Sequence, residues 1–359
     1  MVVIGIDIGG TKVHLGAVVL SQGIQPDAIV LARQIPTPRT DPAAFYDALA
    51  AAVRELQQSL TQQGRTPLPA LAVAHPGRFL PDGTLARGTT PNLGLRPNQF
   101  DGCAPARELE RRLGLRVIAE NDAVAQMRYG IHELLRDPAA GPRLLGETVV
   151  YLGPGTGMGG GVARVGRGGD VTPVTDGHLF DLLLPGYGGE ALTAEELFTG
   201  PAIARRVAEA NRTLSPPIEP ARGGTLDELL GDPQAPPAHR RVAEEFAAYY
   251  GQMLAALIET IRAGRITKVR LETDGQGRVA RHVDEPDRAW SEADRAIVRG
   301  ARRIVFGGFL GCSRHLGARV RATALELLRQ RQAADVEIFQ IPSESGDAGL
   351  LGIARAIAA

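Results

Sequence analysis

The chain has 359 residues, 44% hydrophobic and 22% charged, and its 40 basic and 40 acidic side chains cancel. Zero net charge gives no bulk attraction for nucleic acid or a membrane surface, and no run approaches the ~20 apolar residues of a membrane span. Two distant cysteines, Cys103 and Cys312, suit a reduced, cytoplasmic chain better than a disulfide scaffold, and the length allows a buried core and, at roughly 150 residues per domain, two domains.

The chain opens on a strand, with neither the basic region nor the cleavage site of a secretory signal. "VVIGIDIG" and "VHLGAVVL" read as apolar strands joined by a glycine turn, and "IVLARQIPT" as a third strand. "DPAAFYDALAAAVRELQQSLTQQG" has an acidic-proline start, helical apolar spacing and a closing glycine, so it reads as a helix. "ALAVAHPG" is a strand stopped by Pro76 and Gly77, "APARELERRLGL" a helix, and "RVIAEND" a strand leading into the helix "AVAQMRYGIHELL". "RDPAAGPRLLGE" is loop-like, and "TVVYLGPGTGMGGGVARV" is strand, glycine loop, strand.

From about Thr193 helices dominate, one of them spanning Val242 to Arg262 with Phe246, Tyr250, Met253, Leu257 and Ile261 on one face. "TLSPPIEPARGGTLDELLGDPQAPPAH" reads as a surface loop around one short helix, and "RITKVRLETDGQGRVARHVDEPDRAW" as an exposed hairpin insertion over about 265–295. "RIVFGG" is a late strand and "GLLGIARAIAA" a closing helix. Strands and helices mixed in this order make an α/β protein.

Two glycine clusters carry the chemistry. In "GIDIGGTK", residues 5–12, Asp7 lies in an apolar run, where an ionised carboxylate is costly without a partner, and adjacent glycines weaken a strand unless a backbone or ligand must come close. Only Lys12 and Lys268 are lysines among the 40 basic residues, which singles out the lysine after "GGT", although a solvated turn residue is the plainer reading. The second cluster, "GPGTGMGGG" at 153–161, offers backbone N–H groups of the kind that cradle phosphate. It lacks the Lys-Ser or Lys-Thr of a Walker A loop and does not open a helix after the first strand as a dinucleotide fingerprint would.

Together the two hairpins resemble the phosphate loops of the actin-like ATPase and sugar-kinase superfamily. More narrowly, the chain resembles the ROK family of sugar kinases and the related bacterial glucokinases. The matching pieces are "GIDIGGTK", "AVAHPG" with "TPNLG", "AENDAVAQ", "GTGMGGGVA", "DGH", "LTAEELFTGPAIARR", "IVFGG" and "GDAGLLGIA", in family order.

The resemblance implies a two-lobed α/β fold with a central cleft: a small lobe over 1–121 that recovers the C-terminal helix at about 346–359, and a large lobe over 122–345. It implies ATP and Mg²⁺, a small-molecule sugar substrate, a homodimer and a cytoplasmic location. Asp122 falls on the catalytic base, which would accept the attacking hydroxyl's proton; read alone, it is a helix N-cap. Asn92, Asn121, His178 and Glu195 fall on sugar contacts, although alone His178 is an ordinary loop histidine and Glu195 a first-turn helix acid. Asp7 would face Mg²⁺ through water. Gly9, Gly10, Thr11 and Lys12 would line one side of the phosphates and Gly155, Thr156 and Gly157 the other, with Gly307 and Gly308 on the adenosine side.

Three departures qualify the match. "GHLFDLLLPGYGGEALTAEE" has no cysteine where most ROK proteins bind zinc, so no structural zinc is expected. Thr175 stands where the family usually has Glu, three residues before His178, with Asp176 next to it, which weakens the case for plain glucose. The 265–295 insertion matches nothing assigned. An ATP-dependent kinase of a hexose or amino sugar, phosphorylating a primary hydroxyl, is the leading reading. A non-catalytic sugar-binding or sensor protein of the same fold and a superfamily kinase of a non-sugar substrate are the alternatives. The repressor form is disfavoured because the chain begins at the phosphate-loop strand.

Overall fold

A computed structural model of the chain describes residues 1–23, 25–90, 93–155, 157–174, 182–185, 191–264, 269–273, 279–284, 291–342 and 345–357. The chain divides into two compact units, the first comprising Met1–Gly146, Arg164–Gly177 and Ser345–Ala359, the second Glu147–Ala163 and His178–Glu344. The sequence reading draws its boundary at residue 121; by packing, the helix that begins at Asp122 goes with the first unit.

In the first unit, β1 (Val2–Ile8), β2 (Lys12–Val19) and β3 (Ala28–Pro36) form the expected meander. Helix α1 (Pro42–Gln62), β4 (Ala70–His75), α2 (Pro105–Leu113), β5 (Arg116–Asn121), α3 (Asp122–Leu135) and the short α4 (Gly141–Leu144) follow. Helix α4 replaces part of the loop expected there. The sheet order is β3-β2-β1-β4-β5, with β1 antiparallel to β2 and parallel to β4, and β4 parallel to β5.

Alternation along β1 sends its residues to opposite faces. Ile4, Ile6 and Ile8 join a core with Phe45, Tyr46, Leu49 and Val53 of α1. Val3 faces the other way and packs with Leu350 and Ala354 of the C-terminal helix (Ala348–Ala354). Gly5 and Gly16, cross-strand neighbours, lie under Leu350: a Cβ would come within 2.8 Å of that side chain at Gly5 and 2.7 Å at Gly16. Glycine therefore lets the helix settle onto the sheet, and Asp7 falls on this same face. Helix α1 starts where its cap dictates, with the Asp41 carboxylate accepting from the Ala44 N–H at 3.0 Å.

In the second unit, β6 (Thr148–Pro154) and β7 (Met158–Val165) flank the glycine loop, and β8 (Val171–Pro173) lies in the stretch that returns to the first unit. The short β9 (Leu183–Pro185) and β10 (Ala191–Thr193) pair antiparallel. Helices α5 (Ala194–Phe198), α6 (Gly200–Ala210), α7 (Gly223–Gly231) and α8 (Pro237–Arg262) come next. Strands β11 (Val269–Thr273) and β12 (Val279–Asp284) pair antiparallel, as the hairpin reading expects. Helix α9 (Glu292–Val298), β13 (Arg303–Phe306), α10 (Gly308–Cys312), α11 (Leu316–Gln330) and β14 (Glu337–Gln340) complete the unit, and α12 is the C-terminal helix above.

The sheet runs β14-β13-β6-β7, with β13 parallel to both β6 and β14. Helix α8 buries Tyr250, Met253, Leu257 and Ile261, as its spacing predicts, while Phe246 of the same expected face is only partly buried. Gly251 lets α11 come close: a Cβ there would meet Thr323 Cβ at 2.5 Å. Asp227 of α7 accepts from the N–H groups of His315 and Leu316 and so caps α11 from a distance. No helix among the described residues is long and apolar enough to cross a membrane.

Candidate functional site

The "GGTK" turn joins β1 to β2 and is held from β3's exit. Gly9 N–H donates to the Lys12 carbonyl at 2.9 Å, and Thr37 donates through Oγ1 to the Gly9 carbonyl at 2.7 Å and through N–H to that of Thr11 at 3.1 Å. Arg39 donates to the Gly10 carbonyl at 2.6 Å. The turn's carbonyls are thus taken up by protein donors, whereas the N–H groups of Gly10 and Thr11 have no protein acceptor among the described residues. A turn with spent acceptors and spare donors favours an anion.

Asp7 lies beside this turn. Burial pushes its carboxyl up to about 7; the charge of Asp122 adds to that shift and Lys12 opposes it. Gly349 in α12 comes so close that a Cβ there would strike the Asp7 carboxylate, which gives the glycine of "GDAG" a physical reason. His14, opposite Asp7 in the hairpin register, has Nδ1 3.3 Å from Asp347 Oδ1.

At the end of β5, Asn121 and Asp122 divide the work. Asn121, 6% exposed, is the N-cap of α3: its Oδ1 accepts from Ala123 N–H at 2.9 Å, and its Nδ2 donates to the Gly77 carbonyl at 2.9 Å. The plain capping reading of Asp122 therefore falls to its neighbour. Asp122 is the first helical residue, its pKa raised by burial against the lowering effect of hydrogen bonds from Ala123 N–H, its own N–H and Asn121. Glu120, one place before Asn121, takes a two-point hydrogen bond from Arg128.

The loop that sets Gly77 is itself anchored. His75 is fully buried; Nδ1 lies 2.6 Å from the Pro76 carbonyl and Nε2 3.2 Å from Tyr46 Oη. A carbonyl only accepts, so Nδ1 carries the proton and Nε2 accepts from Tyr46.

In the second unit, Gly155 N–H donates to the Gly157 carbonyl at 2.8 Å, and Gly200 N–H, at the start of α6, donates to the Gly155 carbonyl at 2.9 Å. Glu195 of α5 accepts from Met158 N–H at 2.6 Å, and burial raises its pKa. The glutamate expected at the sugar thus also fixes the glycine loop. Gly307 N–H donates to the Leu152 carbonyl at 2.9 Å, and Gly308 has φ +61, where a Cβ would strike the Pro154 carbonyl oxygen. Both glycines are required by the close approach of β13's exit to the end of β6.

Asn92, Thr156, Thr175, Asp176 and His178 lie outside the described residues. Among the described residues no group of three or more His, Cys, Asp and Glu could hold a metal ion, and Cys103 and Cys312 form no disulfide. Sequence reasoning missed Thr37, Arg39, Arg128 and Gly349. Arg128 left a signal, a charge on the face of α3 that buries Val124, Met127 and Ile131.

The sequence model of the ROK family matches residues 3–267. An N-acetyl-D-glucosamine kinase of Salmonella gallinarum is 31% identical over 164 residues, 45% of this chain and 46% of the relative; the match thus spans about half the length of that curated relative. Two solved structures share the fold. A ROK hexokinase from Thermus thermophilus has a TM-score of 0.58 at 24% identity, covering 99% of this chain and 97% of its own. A ROK glucokinase from Streptomyces griseus, solved with glucose and AMPPNP, has 0.57 at 19%, covering 99% of each. The architecture is accordingly α/β of the actin-like ATPase type.

Proposed function

Because the chain belongs to the ROK family, we propose that it is an ATP-dependent sugar kinase. It transfers the γ-phosphoryl group to a primary hydroxyl of a hexose or amino sugar, with Asp122 as general base. The carrying observation is the arrangement at the start of α3: Asn121 is the N-cap, and Asp122, the first helical residue, shares the Ala123 N–H with it while burial raises the basicity of its carboxylate. The sugar oxygen bonds to the γ-phosphorus as the bond from phosphorus to the β,γ-bridging oxygen breaks. The hydroxyl proton passes to Asp122, and ADP leaves. Such chemistry asks for positioning and charge stabilisation more than covalent help.

Gly10 and Thr11 supply N–H donors to the phosphates, Lys12 a cation, and Gly155, Thr156 and Gly157 a second set of backbone groups. Gly307 and Gly308 lie on the adenosine side. Asn92, Asn121, His178 and Glu195 bind the sugar. Mg²⁺ fits the residues present: Asp7 is a carboxylate under the charge of Asp122, opposed only by Lys12, and a hydrated Mg²⁺ needs only one or two carboxylates. When bound, it neutralises phosphate charge. The N-acetylglucosamine kinases among the relatives make N-acetylated amino sugars the first substrates to try. A cytoplasmic homodimer follows from the family pattern.

The test is a phosphorylation screen with Mg·ATP over glucose, mannose, N-acetylglucosamine and N-acetylmannosamine. At least one sugar should accept phosphate. If none does while one still binds, the sensor reading replaces this one; if none binds, the non-sugar kinase does.

A further inference from the structure

Arg128 stands six residues after Asp122 on α3 and is 4% exposed. Its Nε donates to Glu120 Oε2 at 3.0 Å and its Nη2 to Oε1 at 2.7 Å, a planar fork on one carboxylate. The third nitrogen, Nη1, donates to the Val171 carbonyl at 2.6 Å. One guanidinium thus ties together the end of β5, the helix that carries Asp122, and β8. Glu120 immediately precedes Asn121 and Asp122, and Val171 lies four residues before Thr175 in the sequence.

A pair in which the guanidinium is buried and the carboxylate half-buried is a poor device for stability alone, because the desolvation of the charges offsets much of their attraction. Its strength is directional: a fork and a carbonyl bond on one rigid group fix three backbones at once. The residues around the base are each held separately, Glu120 by Arg128 and Asn121 by Gly77 and its own cap. Asp122 is left with acceptor capacity and an orientation set by its neighbours.

We propose that Arg128 is a positioning residue for phosphoryl transfer. It orients Asp122 through Glu120 and, through the Val171 carbonyl, fixes β8 against the helix that carries the base. This rests on the reading of Asp122 as the base. The guanidinium donates to Glu120 and Val171; removing it should change the turnover number and the sugar KM together and leave the ATP KM alone.

Two variants test this beside Asp122→Asn. Arg128→Lys keeps the charge but cannot make the fork and the carbonyl bond together; kcat should fall roughly 10- to 100-fold and the sugar KM rise several-fold, with the ATP KM unchanged. The double variant Glu120→Gln with Arg128→Met removes both charges at similar volume; it should melt as a folded protein and show the same kinetic loss. Wild-type kcat in either variant overturns the proposal, and so does loss of the fold in the double variant, since the pair would then be a strut for the whole unit. If Asp122→Asn itself turns over normally, the base assignment fails first. If Asp122→Asn is inactive and the double variant is not, the role of Arg128 fails alone.

Discussion

His75 shows how a titrating side chain can be made inert. Burial pushes its pKa down to about 4, and its two ring nitrogens are committed to Pro76 and Tyr46. Between pH 6.5 and 4 the unfolded chain takes up a proton that the folded chain refuses. The stability contributed by neutral His75 is therefore lost as pH falls through that window, by at most about 3 kcal/mol. His132, also pushed down to about 4, acts with the same sign. The carboxyls of Asp7, Asp122 and Glu195, all raised, act with the opposite sign, so the wild-type curve alone does not isolate the effect. The comparison with His75→Gln does: the stability gap between the two proteins, from urea unfolding, should narrow as pH falls from about 7 to about 4.5. A gap that stays constant would show that His75 titrates alike in the folded and the unfolded chain. At this scale the sequence was legible for Asp7 and Asp122, because a carboxylate in an apolar run and one at a strand end both demand explanation. That Asn121 is the cap and Asp122 the first helical residue was not, because adjacent polar residues before a helix compete for the cap and only backbone geometry decides. Arg128 was harder still, since its partner Val171 is distant in sequence.

The elements around β1 explain why the opening stretch is written as it is. Its alternation puts isoleucines under α1 and glycine under α12, so Gly5→Ala should force Leu350 out of place and cost about 1–3 kcal/mol. Leu350→Ala should cost about 2–5 kcal/mol by leaving a cavity. The double variant should be clearly more stable than the sum of the two losses, because the added methyl fills part of the space. Chemical denaturation of all four proteins reads this coupling, and strict additivity would mean that Gly5 and Leu350 do not share the contact. Strong periods made most elements legible: α1 from its apolar spacing and capped start, β1 and β2 from their runs, α8 from its face. Strand β14 was missed because four residues, Glu337–Gln340, carry only two apolar side chains and no alternation long enough to register. Helix α4 was read as loop because proline and glycine dominate its stretch, and α8 begins five residues before its expected start because Pro237 serves as a first-turn residue.

On the scale of the whole molecule, each unit carries its own set of assigned residues: Asp7, the GGTK turn and Asp122 in the first, the second glycine loop, Glu195 and Gly307–Gly308 in the second. What sequence alone revealed here was family order, since no single glycine cluster specifies phosphate transfer. The missing cysteines after His178 predict a protein without stoichiometric zinc; elemental analysis should find none and chelators should leave its melting unchanged, whereas about one zinc per chain would contradict this. The central claim is that Asp122 removes the sugar hydroxyl proton. Asp122→Asn keeps size and most hydrogen bonding but cannot accept that proton, so with the best sugar from the screen and saturating Mg·ATP its kcat should fall by ~10²–10⁴-fold, while sugar binding measured by calorimetry stays within a few-fold of wild type. Near-normal turnover by the Asp122→Asn protein would contradict the account.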